Sequence, residues 1–526
     1  MDDPNFLTSS YLTVVLSNGL ETQVAPWELH ETRDGAVPVA FAFADPMLNA
    51  AALEMAAGFL QVLTPPDEES AWYRTWKKGP SGLKEAFEAR ALLFTVFGAR
   101  RAFQDSTVAD GKEWAAEKLF HHAPGDQTRK HNKDFGAVIG DIGLGTAMVA
   151  LYAMQSHASQ GGPGFRTSLA GGGPLRAVPD VGDTLFRKAW ALALPDSAFQ
   201  ALGTPSNRDE DVFPWLSPKP RRYTRADTPA SHLYMACPRR ILLSEPTSEG
   251  RCRISGVEGP MVSVIREAQN GPEYTNGGWE HPLTPYRQVK KSGTISSLPV
   301  LASAYPSGTS WKDRVGLVVS HRGQDGSGVE ASLAVRAWTS VRAGATLGDG
   351  RLSVRAYGIA CDQAKVASYV LSEQPVIAVE PELEATYETL LVEAVHTAEY
   401  AAWHLRRIVE AIPPSLKDKD TTRVENLTIR FWSDTEAAMD DFSEAMVAAV
   451  REEGLEGTNV VKERFLVEIG DAALGLFDDS FRDAWALRPE ATAMARERVS
   501  KLCRQRDVRE RLGLPPLVRK EEEKAA

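Results

Sequence analysis

Apolar residues recur at helical spacing early in the chain. Between Asp45-Pro46 and Thr64-Pro65-Pro66, the residues Leu48, Ala52, Met55, Phe59 and Leu63 fall three or four positions apart, with proline at both ends, and this predicts a helix. Before it, Tyr11 to Leu16 reads as a strand turned by Ser17-Asn18-Gly19. Leu83, Phe87, Ala91 and Phe94 predict a second helix from about Gly82 to Phe97, and a further helix is expected around Gly145 to Ser156. From about 200 to 375 the chain is rich in Pro, Gly, Thr and Val and reads as irregular β structure with long loops, Arg240 to Leu243 and Arg314 to Val319 fitting strands.

The last quarter has a different texture. Leu383, Tyr387, Leu390, Ala394, Ala398, Ala401, Leu405, Ile408 and Ile412 form one helical stripe, ended by Pro413-Pro414, which spans roughly 45 Å at 1.5 Å per residue. Ser433 with Glu436 reads as the capping box of a second helix running through Met439, Phe442 and Met446. A third helix carries Val461, Phe465, Ile469 and Ala473, and a fourth opens near Pro489 with Met494, Val499 and Leu502. Four amphipathic helices with short connections predict an antiparallel four-helix bundle. The fold class is therefore α+β: a large mixed N-terminal domain over 1–377, the bundle over 378–515 and a charged tail over 516–526.

Composition bounds the function. The chain has 526 residues, with 43% hydrophobic and 25% charged, close to the globular average and too long for one core. No window approaches 18 uncharged apolar residues and the first residues lack a signal-peptide pattern, so the protein is expected to be cytoplasmic, with no membrane partner. A net charge of -11 argues against a protein that coats nucleic acid by charge alone. That total hides local asymmetry. Residues 219–240 hold Lys219, Arg221, Arg222, Arg225, Arg239 and Arg240 against Asp227, and 496–520 hold nine Lys/Arg against three acids, whereas 380–399 hold six Glu and neither Lys nor Arg. Such segregation suits phosphate contact on some faces and protein contact on others, or simply solvated faces.

The common enzyme signatures are missing: no phosphate loop, no H-E-x-x-H zinc site, no G-x-S-x-G elbow, no EF-hand. Gly140, Gly143 and Gly145 stand in the wrong order for a dinucleotide loop. His121-His122 lacks the carboxylate or Cys set that would complete a zinc site, so a loop pair that hydrogen-bonds or touches phosphates is the better reading. Cys237 and Cys252 read as buried thiols rather than half a zinc site. No metal or cofactor is expected. The glycine-rich run Gly161-Gly162-Pro163-Gly164, followed by Phe165-Arg166-Thr167-Ser168, is either a tight turn or a backbone cradle that lets N–H groups approach a phosphate or a groove floor.

In their order these residues resemble the CasA family, the large subunit of the type I-E Cascade complex of CRISPR interference. The resemblance is carried by Asn5-Phe6-Leu7-Thr8, Trp27-Glu28-Leu29, the stretch Gly164 to Pro174, Pro238-Arg239-Arg240-Ile241, the stretch Gly278 to Arg287, Ser310-Trp311 and the helical C-terminal quarter. It implies a non-catalytic subunit that reads the PAM, the short motif flanking the target, in the minor groove of double-stranded DNA. By resemblance, the glycine loop is Gly161, Gly162 and Gly164, and the wedge that starts strand separation is Asp362, Gln363 and Ala364. A planar amide at Gln363 would stack beneath a base pair. Asp362 replaces an amide, so its carboxylate either points away or accepts from a guanine amino group. Arg266 lies near the expected basic finger, Lys290 and Lys291 resemble a pair associated with the displaced non-target strand, and Phe120, His121 and His122 match the start of a loop that docks on the guide-bearing body. The implied partners are target DNA, the crRNA-containing Cascade subunits and the trans-acting helicase-nuclease. The zinc-binding cysteines of some members are not matched. The alternatives are a structural scaffold of a ribonucleoprotein and a metal-dependent nuclease.

Overall fold

Asp45 and Pro46 start helix α1 (Pro46–Leu63) as the spacing predicts. The Asp45 carboxylate accepts from the Met47 N–H at 2.8 Å, and Pro46 takes the first helical position, where an N–H has no partner to lose. This helix is apolar on nearly every side because core surrounds it. It is long and apolar enough to cross a bilayer, yet 67% of that window is buried inside the protein.

The computed structural model describes residues 3–517, apart from 109, 122–139, 160–162, 219–220, 276–278, 306, 343–351, 363–364, 378 and 413–420. It divides into two units. The first holds Met1–Gly308, Arg322–Trp338 and Leu352–Glu373, and the second holds Thr309–His321, Thr339–Arg351 and Gln374–Ala526.

In chain order the first unit carries β1 (Leu12–Leu16), β2 (Glu21–Val24), β3 (Pro38–Phe41), β4 (Lys112–Ala115), helix α2 (Leu144–Ser156), β5 (Arg176–Asp180), β6 (Arg240–Leu243) and β7 (Val264–Ala268). It continues with β8 (Tyr286–Lys291), β9 (Thr294–Pro299), β10 (Leu352–Asp362) and β11 (Lys365–Val376). These strands form small sheets, in orders β2-β1-β3, β4-β7-β6 and β11-β10-β5, while β8 pairs with β9 and with Gly328–Glu330. An aromatic cluster fills the space beside α1. Phe59 meets Phe94 edge-on at 5.6 Å, and Phe94 in turn meets Phe213 at 5.1 Å and Trp215 at 5.2 Å.

That cluster corrects the expected helix from Gly82 to Phe97. Only Leu83–Glu88 is α-helical, with a short 3-10 turn at Ala91–Leu93. Beyond it the backbone leaves the helix, because the Phe94 carbonyl accepts from the Phe6 N–H and the Val96 N–H donates to the Pro4 carbonyl. Tertiary pairing with the N-terminal segment overrides the helical periodicity.

At the centre of this unit lies a charge. Glu54, on α1, is fully buried, and Arg176, on β5, forks onto it with Nε–Oε2 at 3.1 Å and Nη2–Oε1 at 2.8 Å. His157 Nε2 lies 3.0 Å from Oε2 and His281 Nε2 3.5 Å from Oε1. Burial opposes ionisation of Glu54, but Arg176 and then the His157 hydrogen bond outweigh it and hold the carboxyl well below the usual carboxylate range. His281 is pushed well below its ordinary value by burial and then by Arg176. Around the cluster, burial and then the Glu54 charge push the Tyr152, Tyr234 and Tyr357 phenols up.

The second unit carries α3 (Pro381–Glu410), α4 (Thr421–Asp434), α5 (Glu436–Glu453), α6 (Thr458–Ser480) and α7 (Pro489–Ser500). The C-terminal helices are thus more numerous than the four-helix bundle expected, because α4 precedes the helix assigned to the Ser433 cap. Ser433 lies inside α4, and the break comes at Thr435. The Thr435 hydroxyl donates to the Phe431 carbonyl and accepts from Trp311 Nε1 at 3.0 Å. Trp311 is fully buried and packs edge-on to Trp432 at 5.0 Å. The stretch Arg314 to Val319, expected as a strand, is a turn. Gly316 has φ +106°, the Val318 and Val319 N–H groups both donate to the Arg314 carbonyl, and the buried Arg314 guanidinium donates to Asp440 at 2.6 Å. A buried guanidinium with one carboxylate partner dictates that local path.

Two outcomes follow for stability. Glu54→Ala strands the Arg176 charge and should cost about 3–5 kcal/mol in denaturant unfolding, while the Glu54→Met/Arg176→Met double variant should cost less than the single one; a double variant worse than the single would contradict this account. The second concerns His232, which sits buried with Nε2 2.7 Å from the Asp211 carbonyl and Nδ1 3.0 Å from the Tyr274 hydroxyl, and which burial pushes down to about 4 from 6.5. The unfolded chain therefore binds this proton first, and stability contributed above pH 6.5 is lost as pH falls toward 4. Between pH 7 and pH 5 the loss through His232 should be about 2 kcal/mol. Unfolding of His232→Gln at the two pH values should show that part of the difference gone.

Candidate nucleic-acid interface

Alternation along β7 separates two neighbours. Glu267 points inward and is buried, whereas Arg266 lies on the opposite face, half exposed. Arg266 stands opposite Glu113 of β4 in the ladder and donates to its carboxylate at 2.8 Å. The residue expected as a basic finger is thus in mid-strand and ion-paired. The turn that follows β7, Gln269-Asn270-Gly271, carries no cation.

Glu267 gathers cations from distant parts of the chain. Lys118 Nζ lies 2.5 Å from it and Arg239 Nη1 3.6 Å. Both cations lie over the ring of Phe165, Lys118 at 5.6 Å and Arg239 at 5.4 Å from its centroid. Phe165 directly follows the glycine-rich run, so this charged and aromatic set anchors the run's downstream end. Gly164 completes the anchor. Its φ is +79°, its carbonyl accepts from the Asn270 N–H at 2.7 Å, and a Cβ there would lie 2.9 Å from the Gln269 Cβ. Only glycine fits that approach. Arg166 then pairs with Glu273 at 3.2 Å.

The upstream end is held as well. Arg239 Nη2 donates to the Ser159 carbonyl at 2.6 Å, and the amide of Gln155, on α2, bonds both the N–H and the carbonyl of Arg239 at 2.9 Å. Gly161 and Gly162, between the two anchors, lie outside the described residues.

The β10–β11 hairpin meets the same place. Asp362 ends β10; Gln363 and Ala364, at the tip, lie outside the described residues. One residue before Asp362, the Cys361 thiol donates to the Ile359 carbonyl at 3.7 Å, and burial pushes the thiol up. Earlier on the same strand, Tyr357 meets His157, just before the glycine run, with rings 6.1 Å apart. The second glycine cluster seats this strand. Gly173 has φ +68°, and a Cβ there would lie 2.4 Å from the Ile359 carbonyl oxygen. A side chain at that position would push β10 away from Gly173.

Phe120 is buried, and with His121 it lines the same small hollow as Ile359 and Tyr369 of the hairpin strands. His122 lies outside the described residues. Lys290 and Lys291 project from the exposed end of the β8–β9 hairpin, whose turn residues Ser292 and Gly293 have φ of +50° and +83°. Neither lysine is ion-paired among the described residues. The structure therefore brings together the flanks of the glycine run and of the segment expected as the wedge, with His157 and Ile359 lining one hollow, and leaves Arg266 turned to Glu113.

Sequence reasoning missed Lys118, Glu267 and Phe165 as one group. The available signal was an aromatic and a cation directly after glycines; what selects Lys118 is spatial.

The charge runs are also resolved. Arg240 pairs with Asp105 at 2.7 Å and Arg239 is buried, so residues 219–240 do not form one phosphate-facing patch. In the second unit, Arg496 pairs with Asp478 at 2.7 Å, Arg509 with Glu463, Glu380 with Arg451 at 2.7 Å and Glu393 with Lys462 at 3.3 Å. Part of each run is thus engaged in ion pairs within the unit. Cys237 and Cys252 are free and buried, the latter bonded to the Thr146 hydroxyl at 3.3 Å. Among the described residues no group of three or more His, Cys, Asp or Glu is arranged to hold a metal ion.

The chain matches the family model described as CRISPR-associated protein Cse1 over residues 5–474. A sequence search of curated proteins finds no match. Among solved structures it is similar to CasA (Cse1) of Thermus thermophilus, with TM-score 0.66 and 15% identity, covering 96% of this chain and 99% of that one. It is similar to Cse1 of Thermobifida fusca, with TM-score 0.71 and 13% identity over 97% and 98%. A chain of a structure described as a CRISPR RNA-guided surveillance complex aligns with TM-score 0.67 and 16% identity over 96% and 100%. At these identities the structural likeness is one of fold. With the family model spanning most of its length, the chain belongs to the Cse1 family, also called CasA.

Proposed function

We propose that this protein is the non-catalytic, cytoplasmic large subunit of a type I-E Cascade complex, and that it reads the PAM in the minor groove of duplex DNA. In this reading Gly161, Gly162 and Gly164 lay backbone against the groove, Gln363, between Asp362 and Ala364, enters below the first base pair, and Lys290 and Lys291 meet the displaced strand. The guide strand then pairs with the opened target, a nearly balanced exchange in which a wedge worth a few kcal/mol decides the outcome. The complex would present this subunit to a trans-acting helicase-nuclease. The observation that carries the reading is the contact of His157 with Tyr357, rings 6.1 Å apart, which joins the chain just before the glycine run to the strand that leads to Asp362. Family membership and the likeness to a chain of an RNA-guided surveillance complex support the assembly.

The test is binding of the reconstituted complex, with and without this subunit, to duplexes that differ only in the flanking trinucleotide. The wild-type complex should prefer one set of flanks by at least about ten-fold, as expected for one lost base-edge contact of roughly 1–3 kcal/mol. Gln363→Ala should reduce strand opening, read by fluorescence of a base analogue beside the PAM. Indifference of the wild type to the flanking bases overturns the reading, and undiminished flank preference in Gln363→Ala combined with glycine-loop substitutions would favour a scaffold.

A separate outcome concerns the lysine hairpin. Lys290→Ala/Lys291→Ala should lower the salt dependence of opened-complex binding by about 0.7 in log–log slope per lost contact. An unchanged slope removes those residues from the strand path.

A further inference from the structure

We infer that Glu54 is a positioning residue for the DNA-reading elements, a single carboxylate that ties the roots of three separate loops together. The inference rests on the function proposed above.

The geometry is specific. His157, on Glu54 Oε2 at 3.0 Å, is the residue that closes α2 and stands four positions before Gly161, where the glycine run begins. Arg176, forked on the same carboxylate, donates from Nη2 to the Ser156 carbonyl at 3.3 Å, at the same root. Its strand position is opposite Tyr357 of β10, five residues before Asp362, so the wedge hairpin hangs from this ladder rung. The third root is that of the lysine hairpin. Arg176 Nη1 donates to the Thr284 hydroxyl at 2.5 Å, His281 Nε2 lies 3.5 Å from Glu54 Oε1, and the Ala177 N–H donates to the Leu283 carbonyl at 2.8 Å. Two residues after Thr284, β8 starts toward Lys290 and Lys291.

Packing alone does not call for this arrangement. Well-packed apolar side chains of similar volume often serve a core as well as a buried ion pair. What the carboxylate adds is direction. Apolar contact is non-directional, whereas a guanidinium fork and one imidazole bonded to one carboxylate, with a second imidazole 3.5 Å away, set the angles of the segments that carry them. The three loops extend from one centre on α1, so movement at one root strains bonds shared with the other two. Preorganised supports of this kind decide how well reading elements keep their spacing.

The test uses the full chain in the reconstituted complex. In Glu54→Met/Arg176→Met, amide hydrogen exchange should rise about ten-fold at Ser156–Ser159, His281–Lys291 and Tyr357–Asp362 together, with β1 unchanged, as expected when one charge-assisted tie is lost. Thr284→Val is the milder variant and should loosen only His281–Lys291. Exchange unchanged in the double variant, or raised at only one root, overturns the shared tie, as does loosening of all three segments, or of none, in Thr284→Val.

The functional readout is a ratio. Affinity for intact duplex relative to the same sequence with a pre-opened bubble at the PAM should fall about ten-fold in the double variant, while bubble affinity stays within about two-fold. Equal losses on both DNAs would mean a structural role only, and an unchanged ratio would sever the loops' order from reading. A wild-type complex indifferent to the PAM removes the proposed function, whereas the exchange pattern still decides whether Glu54 couples the loops.

Discussion

A carboxylate with no access to water must be neutralised where it stands, and the first unit is organised around that requirement. Glu54 lies on an otherwise apolar helix, fully buried, and no residue within a helical turn supplies its counter-charge. Arg176 does so from a strand 122 positions away in sequence. Bringing that strand to α1 also brings its ladder partner β10, and the remaining donors of the guanidinium find Ser156 and Thr284. An isolated carboxylate in such a place would be protonated or would unfold the segment that holds it. The ion pair is therefore a constraint on topology as well as a contribution to stability.

The same economy of charge marks the surface. The chain carries a net charge of -11, and several cations of its two basic runs, Arg239, Arg240, Arg496 and Arg509 among them, are engaged by carboxylates of the same chain. Long-range attraction to phosphate is correspondingly weak. Under the proposed function, such a surface would leave recognition to short-range geometry: glycine backbone that tolerates close approach, a hairpin seated by Gly173, and two lysines on an exposed turn. Around the glycine run the cations Lys118 and Arg239 serve the protein first, by holding Phe165 and Ser159.

Particular elements show where sequence reasoning holds. Asp45-Pro46 marked the start of α1, Pro489 that of α7, and the apolar stripe from Leu383 that of α3, because caps and periodicity act within a turn or two of the residues that carry them. The same reasoning failed at Phe94, Ser433 and Arg314. At each of these a distant partner decided the local path: Phe6 for the first, Trp311 through Thr435 for the second, Asp440 for the third. In the candidate site, the glycine run was legible as backbone made for close approach, and Lys290-Lys291 as an exposed basic pair. Arg266 was not legible as ion-paired, since Glu113, which neutralises it, lies on a strand 153 positions earlier.

The sequence by itself determined the two textures of the chain, the helices with strong local signals, the family resemblance and the glycine-rich segment, all of which depend on neighbours in sequence or on residue order. Only the tertiary structure decided that Lys118 and Arg239 converge on Glu267, that His157 meets Tyr357, and that three loops share Glu54. The physical reason is that a buried charge accepts any partner the fold can deliver. Its choice among many Arg, Lys and His residues is made by packing across long sequence separations, which no local pattern encodes.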